Sequence, residues 1–176
     1  MSGMRNSIKG PAAAGTDPVP GSASRFMRLA VREARKNLKS PKGGPFGACI
    51  VREGRVLAVA RNTVLACDST CHAEVNAIRK ASRRLGTYDL SGCVIFSTTE
   101  PCPMCFGAIH WARIGLIVYG TSIADAGRVG FNELRISNAA LKILGKSRIR
   151  IVDGFLRDEC LALFKSWKAL PDRTIY

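Results

Sequence analysis

The sequence predicts an α/β domain, with helices layered on a mixed sheet. Two observations carry that expectation. Strand-like apolar runs alternate with segments of helical periodicity from about residue 22 to residue 168, the pattern of helices packed on a sheet. The chain has 176 residues and is 47% apolar, which suits one domain with its own hydrophobic core.

Each element follows from local pattern. Residues 1–21, which include GPAAAGTDPVPGS, are rich in Gly, Ala, Pro and Ser and read as a flexible tail. Ser22 or Ser24 offers a cap for a helix to about Lys39, in which Phe26, Leu29, Ala30, Ala34 and Leu38 recur at helical spacing. Pro41 and the Gly43-Gly44-Pro45 cluster end it. The apolar runs Gly47–Arg52 and Val56–Ala60, joined by Glu53-Gly54-Arg55, read as a hairpin. A helix is expected from about His72 to Leu85, with Ala73, Ala77, Ile78, Ala81 and Leu85 turned inward. A strand over Cys93–Ser97, a helix over Pro103–Ala112 and a strand over Leu116–Tyr119 come next. A helix over Leu134–Leu144, a strand over Ile149–Val152 and a helix over Leu156–Lys168 close the chain.

Composition narrows the functional classes. No apolar run approaches the eighteen or so residues of a membrane span, and the segment MSGMRNSIKG lacks the apolar block of a secretory signal. A cytoplasmic protein is the expectation. The seven cysteines are odd in number, and most lie in apolar runs such as FGACIV. Buried thiols with a metal or redox pair fit that pattern better than a disulfide framework. Lys and Arg outnumber Asp and Glu by 27 to 13, a net charge of +14. That excess suits a polyanion such as RNA, or else a basic surface with no dedicated partner, since the cations are spread along the chain.

The chemistry concentrates in two short words. Cys71-His72-Ala73-Glu74 is followed about thirty residues later by Pro101-Cys102-Pro103-Met104-Cys105. One imidazole and two thiolates, from His72, Cys102 and Cys105, are three ligands for one tetrahedral Zn2+, with the fourth position left to a water or hydroxide. On a mid-helix surface, residues two apart point about 200° from one another. His72 and Glu74 therefore converge only in a first turn, and Asp68, Ser69 or Thr70 supplies capping chemistry there. Cys102 and Cys105 are three apart and share one side of a turn, with Pro103 tolerated at the first helical position. Glu74 is then free to take the water's proton and pass it on. A lone C-x-x-C also suits a redox pair or half of a four-cysteine zinc site, but neither needs His-x-Glu, and H-x-E with P-C-x-x-C is a signature of zinc nucleobase deaminases.

On these words, residues 43–130 resemble the cytidine-deaminase-like superfamily, and within it the bacterial guanine deaminases with their plant guanosine-deaminating relatives. The matching stretches are GGPFGA (43–48), HAEVNAIR (72–79), EPCPMCFGAIHWARI (100–114) and DAGRVGF (125–131). The resemblance implies a three-layer α/β/α fold on a five-stranded mixed sheet, with residues 22–176 as a zinc-dependent deaminase domain. It also implies substrate contacts. Asn62 would read the purine edge, Phe46 would stack on the ring and Trp111 would line the pocket. Asp125 would lie near the substrate amine and assist proton transfer, and Tyr176 would reach the substrate, in some members across a swapped dimer. His110 is expected to be structural.

The implied reaction is hydrolysis of guanine to xanthine and ammonia, with a homodimer as the expected assembly. A tRNA adenosine-to-inosine deaminase is the alternative, because GFLRDECLALF (154–164) resembles the last helix of those enzymes. Guanosine, a triazine and a free pyrimidine also stay open as substrates. Asn132-Glu133 departs from the usual acidic pair after Gly-Phe in guanine deaminases.

Overall fold

The computed structural model describes residues 23–176. The tail expected over residues 1–21 and the candidate cap Ser22 lie outside the described residues. Helix α1 spans Ala23–Lys39, so Ser24 sits inside its first turn and does not cap it. Strands β1 (Gly47–Arg52) and β2 (Arg55–Arg61) form the expected hairpin. A short 3-10 turn, Val64–Ala66, leads to α2 (Ala73–Leu85). Then come β3 (Cys93–Thr99), α3 (Pro103–Trp111), β4 (Leu116–Thr121) and α4 (Ile123–Arg128). Helix α5 (Asn138–Leu144), strand β5 (Arg150–Val152) and helix α6 (Arg157–Lys168) complete the order.

The five strands lie in the order β2-β1-β3-β4-β5. β1 pairs antiparallel with β2 and β3, whereas β3, β4 and β5 run parallel. The sheet is mixed, as expected. Both of its faces are buried, and strand alternation sorts the side chains between them. Ala48, Ile50, Ile95 and Ile117 face Ala73, Ala77 and Ala81 of α2 and Phe106 and Ile109 of α3. Cys49, Val51, Phe96, Leu116 and Val118 face Phe26, Met27, Ala30 and Ala34 of α1 and Cys160 and Leu163 of α6. The three layers follow from that alternation. The alanine seam on α2 lets its axis lie close to the sheet, and Gly86 ends the helix in the left-handed region (φ 67°), where glycine carries no Cβ penalty.

Two local expectations are corrected. The helix expected over Leu134–Leu144 starts only at Asn138, because Ser137 Oγ accepts from Ala140 N–H and sets the N-cap there. Leu134 and Ile136 precede it and are exposed. Helix α4 is an addition. Its start is a capping box in which Ser122 accepts from Asp125 N–H while the Asp125 carboxylate accepts from Ser122 N–H.

Candidate metal centre and active site

Two helix N-termini meet at the C-terminal side of β3. His72 is the N-cap residue of α2 and Cys102 the N-cap residue of α3, each with extended backbone and no side-chain cap bond of its own. At the positions that would normally cap these helices with an oxygen stand two residues of a possible zinc site. Asp68, Ser69 and Thr70 do not cap α2. Asp68 instead accepts from Thr70 N–H at 2.7 Å and from Thr70 Oγ1 at 2.6 Å, which ties up the preceding turn. Pro103 stands in the first turn of α3 as expected, and Cys105 follows in that turn, buried.

The donor atoms of His72, Cys102 and Cys105 all lie within 4.8 Å of one another. Cys102 Sγ is 3.7 Å from His72 Nδ1. One ring nitrogen and two sulfurs at that spacing fit zinc, and a set of three leaves one tetrahedral position for water. Glu74, two residues into α2, turns to the same point. Its Oε2 accepts from Cys105 Sγ at 3.5 Å and its Oε1 accepts from Ser97 Oγ at 2.9 Å.

The electrostatics are those of a crowded, dry site. Burial pushes the Glu74 carboxyl up from its ordinary value, against the pull of His72. Burial draws His72 down, but the Cys102 hydrogen bond and the Glu74 charge outweigh it and hold the imidazole at about 8. The Cys102 thiol is held down to about 4, chiefly by the hydrogen bond from Cys105, while the same bond and burial push Cys105 well up.

A cavity of about 10 Å³ adjoins the ligands, lined by Phe46, His72, Glu74, Thr99, Glu100, Cys102 and Glu133. That is room for roughly one water. A cleft of about 630 Å³ lies beside it, and Glu100 and Glu133 line both. Glu133 is the site residue that the sequence reading misses. Burial, with the Cys102 and Glu74 charges adding, pushes its carboxyl up to about 7. It is delivered by residues 129–137, and a long-range clamp sets that segment's path. Glu100 Oε2 accepts from Ile123 N–H at 3.1 Å and its Oε1 from Asn138 N–H at 2.8 Å, so one buried carboxylate holds the first turns of both α4 and α5. The available signal was the single acid after Gly-Phe, legible only as a departure from a pair.

Asn62 is buried at the end of β2, where Asn37 Nδ2 donates to its backbone carbonyl. Its Oδ1 accepts from Val64 N–H at 3.0 Å and from Tyr176 Oη at 2.7 Å, and no described residue bonds its Nδ2. A Cβ at Gly43 would collide with that amide, so glycine is required there. Tyr176 Oη also accepts from Gly44 N–H, and its ring packs edge-on against Phe131. The last residue therefore packs on its own chain. Phe46 lines the small cavity and meets the Phe131 and Phe164 rings edge-on.

The profile of the cytidine and deoxycytidylate deaminase zinc-binding region matches residues 20–121. This chain belongs to that deaminase family. It is a hydrolytic aminohydrolase with a zinc-binding domain. A guanine deaminase of Bacillus subtilis (strain 168) is 38% identical over 152 residues, 86% of this chain and 97% of that enzyme. A tRNA-specific adenosine deaminase of the same organism is 33% identical over 141 residues, 77% of this chain and 81% of that enzyme. The structure of NE0047 in complex with 2,6-diaminopurine superposes with a TM-score of 0.78 at 31% identity, covering 90% of this chain and 87% of that one.

Of the five expected substrate residues in this deaminase, Phe46 lines the small cavity, whereas Asn62, Tyr176, Asp125 and Trp111 line neither it nor the cleft. Asp125 closes the α4 capping box and pairs with Arg157 (2.6 Å) and Arg128 (2.7 Å), and the Arg157 guanidinium holds its carboxyl well below the usual carboxylate range. The fold uses this carboxylate to join α4 to α6. Trp111, the last residue of α3, is 79% exposed and outside both cavities. His110 is exposed too, with Nδ1 3.5 Å from Ser147 Oγ and no part in the donor set. No described helix is long and apolar enough to cross a membrane.

Proposed function

We propose that this chain hydrolyses guanine to xanthine and ammonia. The observation that carries the reading is the buried Glu74 carboxylate beside the His72–Cys102–Cys105 set, in a chain that matches a guanine deaminase over nearly its whole length. His72, Cys102 and Cys105 would hold a zinc, which would lower the pKa of a water towards neutrality. Glu74 takes one proton from the water and passes it to the purine ring nitrogen as the hydroxyl oxygen adds to the amine-bearing carbon. Glu133, which lines the same small cavity, takes the second acid–base role: it protonates the amine, the C–N bond breaks to release ammonia, and the proton of the added hydroxyl returns to the carboxylate. Ser97 keeps Glu74 turned towards the ligands. The Nδ2 of Asn62 donates to the base edge, and Phe46 supplies an aromatic wall. The cleft of about 630 Å³ shares Glu100 and Glu133 with the small cavity and gives the base its way in.

The second reading, deamination of adenosine in tRNA, draws on the 33%-identical relative and on the net charge of +14. We infer a homodimer for either reading. Trp111 of α3 and Ile143 and Leu144 of α5 are exposed on two helices that pack together, and apolar side chains gathered on a surface mark partner sites.

The test is a substrate panel. Purified protein is incubated with guanine, guanosine, cytosine, adenine and adenosine-containing tRNA while ammonia and inosine are followed. Ammonia and xanthine from guanine are expected. Inosine in tRNA with no ammonia from guanine would replace this reading with the second.

A further inference from the structure

A second concave site lies on the opposite side of the loop that carries His72. A cavity of about 440 Å³ opens at the β2 edge of the sheet, between α1 and α2. Cys71 lines this cavity and the adjacent His72 lines the metal-side one, so a single peptide separates the two. Lys42, Arg61, Arg79, Lys80 and Arg83 stand around the wall against one acid, Glu33. Among the described residues none of the five cations forms an ion pair, and Glu33 is engaged by Lys36 at 2.6 Å. Five uncompensated charges around one hollow are self-repelling. Solvent screens the four exposed side chains in part, and an anion seated in the hollow would meet all five at once.

The edge itself excludes another occupant. Arg84 donates to the carbonyls of Val56 and Leu57, Lys80 to that of Val59, and Asn76 to that of Arg61. Side chains from α2 have already taken the acceptors that an added β-strand would need. Arg79 is half-committed, donating to Thr70 Oγ1 at 3.1 Å and towards Cys71 Sγ at 3.4 Å. Its remaining N–H groups, with Arg61 and Arg83, form a set of guanidinium forks, the groups best matched to phosphate oxygens. The volume is that of a small-molecule site rather than a track for a long polymer.

We propose that this groove binds a phosphorylated small molecule, through phosphoryl oxygens held by Arg61, Arg79 and Arg83, at a site separate from the base cavity. The chemistry is shared by a nucleotide and by free pyrophosphate. The proposal is independent of which base is deaminated, because its readout is binding.

Isothermal titration of the full chain with pyrophosphate and with guanosine monophosphate tests it. Saturable binding of one ligand per chain is expected, weakening as NaCl rises. Arg61→Ala and Arg83→Ala should each weaken it roughly tenfold, the loss of one charge-assisted bond, while Arg148→Ala, an exposed cation outside the groove, leaves it unchanged. Neither Arg61 nor Arg83 makes a side-chain bond to another described residue, so the variants should fold, with unchanged Tm as the check. Equal affinities for the two ligands would assign the site to phosphate alone, and tighter binding of the nucleotide would add its nucleoside. No binding of either, equal losses from Arg83→Ala and Arg148→Ala, or binding only to RNA oligomers would overturn the proposal.

Discussion

The hydroxyl of Tyr176, the last residue of the chain, donates to Asn62 Oδ1 at 2.7 Å and accepts from Gly44 N–H at the same distance. One phenol thus joins the C-terminus, the Gly43-Gly44 loop and the end of β2. It also fixes the Asn62 amide with Nδ2 unclaimed. Tyr176→Phe keeps the ring against Phe131 and deletes both bonds. The expected result is a guanine KM about fivefold higher with a smaller change in kcat, the cost of one lost orienting bond of roughly 1 kcal/mol. Steady-state kinetics on the two proteins check it. Unchanged kinetics would assign Tyr176 to packing.

Glu74 and Ser97 form the second testable pair. Glu74→Gln preserves size and the Ser97 bond but cannot carry the proton, so zinc content should stay at one per chain while turnover falls by about 10²–10⁴. Ser97→Ala leaves the carboxylate in place and unanchored, and a loss near tenfold is expected. Metal analysis alongside the rate separates chemistry from unfolding, and full activity in the Gln variant would sink the proposed mechanism.

Asp125 and Glu133 should separate stability from catalysis. Asp125→Asn breaks the pairs to Arg157 and Arg128 and leaves the small metal-side cavity, which neither arginine lines, intact. Because both arginines are largely exposed (side chains 43% and 74%), solvent screening reduces the loss to about 1–2 kcal/mol, between exposed-pair and buried-pair values. The sign with pH follows from a carboxyl held below its ordinary value. Its contribution is fully present above about pH 4, the unfolded value, and is lost as pH falls through the folded one. Denaturation midpoints of wild type and Asp125→Asn should differ by a constant amount from pH 7 to about pH 4 and only begin to draw together below it, with kcat at pH 7 unaffected. Glu133→Gln should do the reverse, lowering kcat at unchanged Tm.

Removal of zinc should abolish activity and loosen the fold locally. His72 and Cys102, two of the three residues of the possible zinc site, are the N-cap residues of α2 and α3, so a bound metal would join two helix starts that have no side-chain cap. Dialysis against a chelator is expected to lower Tm and eliminate turnover, with both restored by one equivalent of Zn2+. His72→Ala should not be rescued. Retained activity in metal-free protein would contradict the zinc assignment.

The sequence by itself determined the sheet-and-helix alternation, the β1–β2 hairpin and the ligand set. These are short-range matters: a period of two, a turn at Glu53-Gly54, and site residues two or three apart at each of two helix starts. The Ser122-x-x-Asp125 capping box is equally local. Glu133 and the closure of Tyr176 belong to the tertiary structure alone. Glu133 reaches the metal side because Glu100, thirty-three residues earlier in the chain, holds α4 and α5 by their N-termini and so directs the segment between them. Tyr176 meets Asn62 across 114 positions. No local pattern encodes a hydrogen bond between partners that far apart; it forms only once the core has brought both ends together.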